Sequence, residues 1–103
     1  MTSSRARIPI PQAQLAEVCR RHRIRWLALF GSVLRDDFRA DSDVDVLIEF
    51  EPGQRYTYFS MAQVAEDLSL VLGKPIDLHV RKSLHPFLRD KVLDQAETLY
   101  AGA

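Results

Sequence analysis

Apolar positions along the chain switch between two periods. After Pro9 and Pro11, a helix begins near Gln12 with Leu15, Val18 and Cys19 on one face and Ala16 at its margin. The run Arg20-Arg21-His22-Arg23 fits its C-terminal turn, where cations complement the helix dipole, and His22 reads as a surface residue. Ile24 to Phe30 is almost continuously apolar and reads as a first strand, with Trp26 as a large core or interface residue. Gly31 ends it, Val33 to Arg35 reads as a short helical turn, and Asp36 to Asp41 is a polar connection. Residues 43–50 then alternate: Val44, Val46, Ile48 and Phe50 point into a core, while Asp43 and Asp45 share the other face.

Turn chemistry at Glu51-Pro52-Gly53-Gln54 leads into a helix from Tyr56 to Leu72. Met61, Val64, Ala65, Leu68, Val71 and Leu72 form its apolar face, and Gly73 and Pro75 stop it. Pro75 to Val80 reads as a third strand, with Ile76, Leu78 and Val80 facing one way and Asp77 and His79 the other. Ser83 and Pro86 open a final helix to Tyr100, on which Leu84, Leu88, Val92, Ala96 and Leu99 are apolar. Residues 1–8 show no period and read as a flexible N-terminus ahead of a single domain over 9–103. The class is α/β (α+β): a small mixed three-stranded sheet packed with helices.

The polar interruptions carry the chemistry. Two carboxylates on one strand face repel each other, and a divalent cation between them makes the arrangement favourable. Mg²⁺ suits such a site, since it takes oxygen ligands and is held by one or two carboxylates together with a substrate's phosphates. Gly31 lets backbone approach a phosphate without a Cβ in the way, Ser32 adds a hydroxyl and N–H donors, and Arg35 adds a fork of donors. Gly31 lies at the end of the first strand and Asp43 at the start of the second, so a shared site requires these strands to be antiparallel. If the third strand lies parallel to the second, joined by a right-handed helical crossover, Asp77 arrives beside Asp45 and completes a carboxylate triad. His79 either turns to the same site or is a surface or satisfied histidine.

Other metal and phosphate motifs fail on inspection. Asp41, Asp43 and Asp45 stand at alternate positions as in a calcium loop, but Val46 occupies the place of its glycine and Pro52 that of its bidentate glutamate. Neither Gly-x-Gly-x-x-Gly nor a Gly-x-x-x-x-Gly-Lys P-loop occurs.

Composition narrows the picture. The 103 residues balance 14 basic against 14 acidic side chains, which argues against a general nucleic-acid binder. The charges are segregated, however: residues 1–35 carry seven Arg and one acidic residue, and 36–67 carry nine acidic residues and two Arg, so opposite local fields would draw in metal and anion alike. One cysteine, Cys19, builds no internal disulfide or zinc set and reads as a buried thiol. With no membrane-length apolar stretch and no signal-like segment, a cytoplasmic location is the default expectation.

Gly31-Ser32-x-x-Arg35 followed by Ser42-Asp43-x-Asp45 and apolar residues resembles the signature of the polymerase-β-like nucleotidyltransferases. At this length the resemblance is to their smallest branch, the minimal nucleotidyltransferases (MNT), commonly encoded beside a helical HEPN-domain partner. It extends from about Ile24 to Tyr100 and departs at Asp36, where many members have Gly. It implies a polymerase-β-like palm in which Asp43, Asp45 and Asp77 are the catalytic and metal-binding residues, and Gly31, Ser32, Arg35 and Ser42 bind nucleotide. It also implies two Mg²⁺ ions roughly 3.5–4 Å apart, ATP as donor, pyrophosphate as leaving group, and a hydroxyl acceptor. In HEPN partners that acceptor is a tyrosine, so the product would be an adenylylated, silenced toxin and the chain its antitoxin. Two other readings stay open: a non-catalytic antitoxin that masks its partner by binding, and transfer onto a small molecule or an RNA end.

Overall fold

Nearly unbroken apolar runs belong to strands covered on both faces. Ile24–Phe30 (β1) and Val44–Phe50 (β2) accordingly take the two inner positions of the sheet. The structure is a computed structural model that describes residues 6–36 and 38–102. Its other elements are the helices Gln12–Arg21 (α1), Tyr58–Leu72 (α2) and Pro86–Gln95 (α3), the strands Ile76–Val80 (β3) and Glu97–Ala101 (β4), and short 3-10 turns at Gly31–Leu34 and Arg81–Ser83. The strand order is β3-β2-β1-β4. β1 runs antiparallel to β2 and β4, and β2 runs parallel to β3, as the sequence required for a shared site.

One face of this sheet is the core. Leu27 and Leu29 of β1 and Val44, Val46 and Ile48 of β2 pack against Leu15, Val18 and Cys19 of α1 and Val64, Leu68 and Leu72 of α2. Each fully buried aliphatic side chain contributes about 1.5–3 kcal/mol relative to exposure. α2 is fixed at both ends. The Thr57 hydroxyl accepts from the Ser60 N–H at 3.2 Å while the Ser60 hydroxyl accepts from the Thr57 N–H at 3.1 Å, and Gly73 adopts φ +72° at the C-cap. This helix spans the parallel β2–β3 connection, so its packing determines where β3 lands.

Three parts differ from the sequence expectation. The final helix stops at Gln95, because Ala96 turns extended with ψ 142° and Glu97–Ala101 forms a fourth strand on the free edge of β1. Spacing of four residues up to Ala96 and three to Leu99 suggests continued helix. Thr98 and Tyr100 favour a strand, and pairing with β1 satisfies an otherwise open row of backbone donors and acceptors. The helix that remains, α3, has no buried residue, and Leu88 on its predicted apolar face is 51% exposed. His22, read as a surface residue, is half-buried and pairs with Asp67 of α2 at 2.7 Å, with Arg21 at 3.3 Å from the same carboxylate. Of the N-terminal residues read as flexible, Met1–Arg5 lie outside the described residues. Ala6 and Ile8 pack on the core, and the Arg7 N–H donates to the Val33 carbonyl at 2.9 Å.

These contacts separate core leucines from surface ones. In urea unfolding, Leu68→Ala should lower stability by about 2–5 kcal/mol, whereas Leu88→Ala on α3 should change it by no more than about 0.5 kcal/mol. A comparable loss at both sites would mean that α3 packs as core.

Candidate active site

Strand register builds the site. β1 pairs Phe30 with Asp45 across the antiparallel ladder, and β2 pairs Asp45 with Asp77 across the parallel one, so the three residues form one row on the sheet face opposite α1 and α2. In the next row Ala28, Leu47 and His79 align, and Ala28 and Leu47 are fully buried. His79 lies two residues beyond Asp77 on the same face, with Nε2 3.2 Å from Asp77 Oδ2. The Phe30 ring meets the imidazole edge-on at 5.4 Å between centroids. One ligand atom from each of Asp45, Asp77 and His79 lies within 4.8 Å of the others.

The electrostatics are those of a cation site. Asp45 is half-buried, and its carboxyl is held above the ordinary carboxylate range. Burial is the largest cause, followed by the charge of Asp77 and a hydrogen bond shared with it; His79 opposes the rise and Asp43 adds to it. Two carboxylates and an imidazole converge here, a donor set suited to a divalent ion.

Gly31 shapes the wall of the site. It begins the 3-10 turn with φ +78°, and a Cβ there would come within 2.2 Å of Asp45 Oδ2. Only glycine keeps this carboxylate in place and leaves room beside it. Ser32 sits half-buried in the turn, and its carbonyl accepts the Arg35 N–H at 2.9 Å. Arg35 is exposed at the end of the turn. Asp36, the departure from the family pattern, pairs with the Arg7 guanidinium, which neutralises the extra anion.

The remaining predicted residues separate. Asp43 is exposed just before β2 and shares a face with Asp45, but the cluster within 4.8 Å does not include it. Ser42 clamps the loop: its hydroxyl accepts from the Arg39 N–H at 3.0 Å and its own N–H donates to the Arg39 carbonyl at 3.1 Å. This turn sets the entry of β2, and so the position of Asp45. The residue that sequence reasoning left undecided is His79, whose only signal was its two-residue offset from Asp77. Beside it, an apolar groove of about 620 Å³ is lined by Tyr56, Met61, Leu78, Val80 and Leu84. Tyr56 is held there by stacking on Phe50 at 4.6 Å. Away from the site, burial pushes the Cys19 thiol up to about 12, leaving it inert.

Comparison with known proteins agrees with this geometry. Residues 12–99 match the nucleotidyltransferase domain family. A Methanocaldococcus jannaschii protein assigned as a protein adenylyltransferase is 33% identical over 76 residues, covering 74% of this chain and 80% of its own length. A solved structure described as a minimal nucleotidyltransferase superposes with a TM-score of 0.68 at 36% identity, covering 84% of this chain and 86% of that one. The same fold recurs in the complex of a tri-AMPylated Shewanella oneidensis HEPN toxin with an MNT antitoxin, at TM-score 0.64 and 20% identity, over 87% of this chain and 69% of that one. A match over most of the chain, a relative one-third identical and a glycine turn set against paired strand carboxylates lead to one conclusion: the chain belongs to the nucleotidyltransferase family, in its minimal branch.

Proposed function

We propose that this nucleotidyltransferase moves AMP from ATP onto a hydroxyl of a HEPN-domain partner protein, a tyrosine by family resemblance, and so acts as that partner's antitoxin. The observation that carries the chemistry is the register pairing of Asp45 with Asp77 beside a glycine turn. Support for the donor and the acceptor class comes from the adenylyltransferase assignment of the Methanocaldococcus relative and from the AMPylated toxin in the Shewanella complex.

In this reading the Gly31-Ser32 backbone receives phosphate oxygens, because the missing Cβ admits close approach and the short turn offers N–H donors. Asp45 and Asp77, with Asp43 at the margin, would hold divalent metal, and Mg²⁺ as one or two ions fits their oxygens. Bound there, the metal would neutralise phosphate charge and lower the pKa of the attacking hydroxyl. Asp77, exposed on β3, takes the hydroxyl proton in this reading. The hydroxyl oxygen then bonds to the α-phosphorus, the bond to the bridging oxygen breaks, and pyrophosphate leaves with that electron pair. Arg35 steadies the polyphosphate from the end of its turn.

A second reading, neutralisation by masking alone, draws on the exposed apolar side chains. Tyr58 and Phe59 at the start of α2 are 95% and 85% exposed, and Phe87 on α3 is 74% exposed. Both readings need a bound partner, and only one needs turnover.

Intact mass separates them. With the co-expressed HEPN partner, ATP and Mg²⁺, the partner should gain the mass of AMP, and Asp45→Asn should slow that gain by about 100-fold or more while the two proteins still co-purify. Unchanged partner mass together with tight binding would replace transfer by masking. Gly31→Ala should suppress transfer as strongly and lower stability by about 1–2 kcal/mol, since alanine is strained at this φ and its methyl displaces Asp45.

The raised Asp45 carboxyl predicts a pH-dependent stability effect. Its folded pKa lies above the ordinary 3.8, so its contribution to stability is present at low pH and is lost as pH rises through the folded value. In chelator-treated buffer near neutral pH, Asp45→Asn should therefore melt higher than the wild type, and the gain should shrink as pH falls toward 3.8. A neutral-pH melting temperature below that of the wild type would rule out this charge strain.

A further inference from the structure

We infer that His79 is a third metal ligand beside Asp45 and Asp77. The site is then a mixed nitrogen and oxygen one that selects a first-row transition cation such as Mn²⁺ over Mg²⁺. The inference rests on the metal site proposed above and adds to it a ligand and a preference that three carboxylates alone would not supply.

The geometry comes from two strands held in register by backbone pairing. Asp77 and His79 share a face of β3, and Asp45 is the register partner of Asp77 on β2. The imidazole presents Nε2 to the cluster, at 3.2 Å from Asp77 Oδ2, and the Phe30 ring braces the imidazole from β1. With all three ligand atoms within 4.8 Å of one another, an ion at their centre would lie at most about 2.8 Å from each, a small side-chain adjustment from metal–ligand bonds of ~2.0–2.2 Å. The cradle at Gly31, where a Cβ would fall 2.2 Å from Asp45 Oδ2, leaves that carboxylate room to turn toward such an ion.

Donor chemistry sets the preference. Mg²⁺ favours an all-oxygen octahedron and gains little from an imidazole, whereas affinity for nitrogen donors rises along the first transition row. Two carboxylates plus one imidazole retain the oxygen character that Mn²⁺ accepts and add the nitrogen that Mg²⁺ does not use. Asp43, outside the close cluster, contributes charge without discriminating between ions.

The test uses the full chain and metal alone. Mn²⁺ uptake is followed by loss of the free-ion electron paramagnetic resonance signal, Mg²⁺ by competition, and a directly coordinated ¹⁴N by electron spin echo modulation. Wild type should show the nitrogen coupling. His79→Gln and His79→Ala, each checked for an unchanged circular dichroism spectrum, should lose it and weaken Mn²⁺ binding by about tenfold or more with Mg²⁺ binding nearly unchanged. Asp45→Asn should abolish uptake of both ions. The inference is overturned by bound Mn²⁺ without nitrogen coupling, or by equal loss of Mn²⁺ and Mg²⁺ in the His79 variants. Failure of wild type to bind Mn²⁺ also overturns it, while the nucleotide-dependent metal reading is judged separately by the mass gain on the partner.

Discussion

Two carboxylates held side by side by backbone pairing are the constraint on which this structure turns. Asp45 and Asp77 do not choose their proximity; the parallel ladder between β2 and β3 imposes it, and the ladder is held by an aliphatic layer on the other face. Buried contacts from Val44, Val46 and Ile48 to α2 outweigh the repulsion above them, as they must in a domain whose net stability is about 5–15 kcal/mol. Alternation along each strand separates the two tasks: even one residue of slip would exchange the aliphatic row for the acidic one. Stability and chemistry thus occupy opposite sides of one sheet.

Most of this was legible because the informative signals are short-ranged. Period-two alternation in residues 43–50 and 76–80, with a glycine turn after an apolar run, defined which side chains share a face. The need to bring Gly31 to Asp43 and Asp45 then dictated strand direction, and the observed ladders agree. What was not legible depended on distant partners. Glu97–Ala101 carries a helical repeat of apolar residues, and only the vacant edge of β1, some seventy residues earlier, turns it into strand. The same limit applies to His22, whose partner lies on another helix.

The site also accommodates its one departure from the family pattern. Asp36 places a negative charge just after the Gly31–Leu34 turn, and Arg7, from a segment with no periodic signal, pairs with it. Compensation by a residue so far away in the chain cannot be read from a local motif. An exposed pair of this kind adds little to folding, so its significance is electrostatic: it offsets an anion beside the glycine turn.

The separation of Asp45 from Asp77 along the chain has a consequence for biosynthesis. The glycine turn and the first strand carboxylates lie in one early stretch of the chain, but their acidic neighbour follows only after the whole of α2 and becomes adjacent only once that helix has docked. A nascent or truncated chain ending in α2 would carry the recognisable motif and yet lack the paired centre. The paired carboxylates therefore come together late in synthesis, with the β2–β3 ladder, and an unfinished copy lacks them.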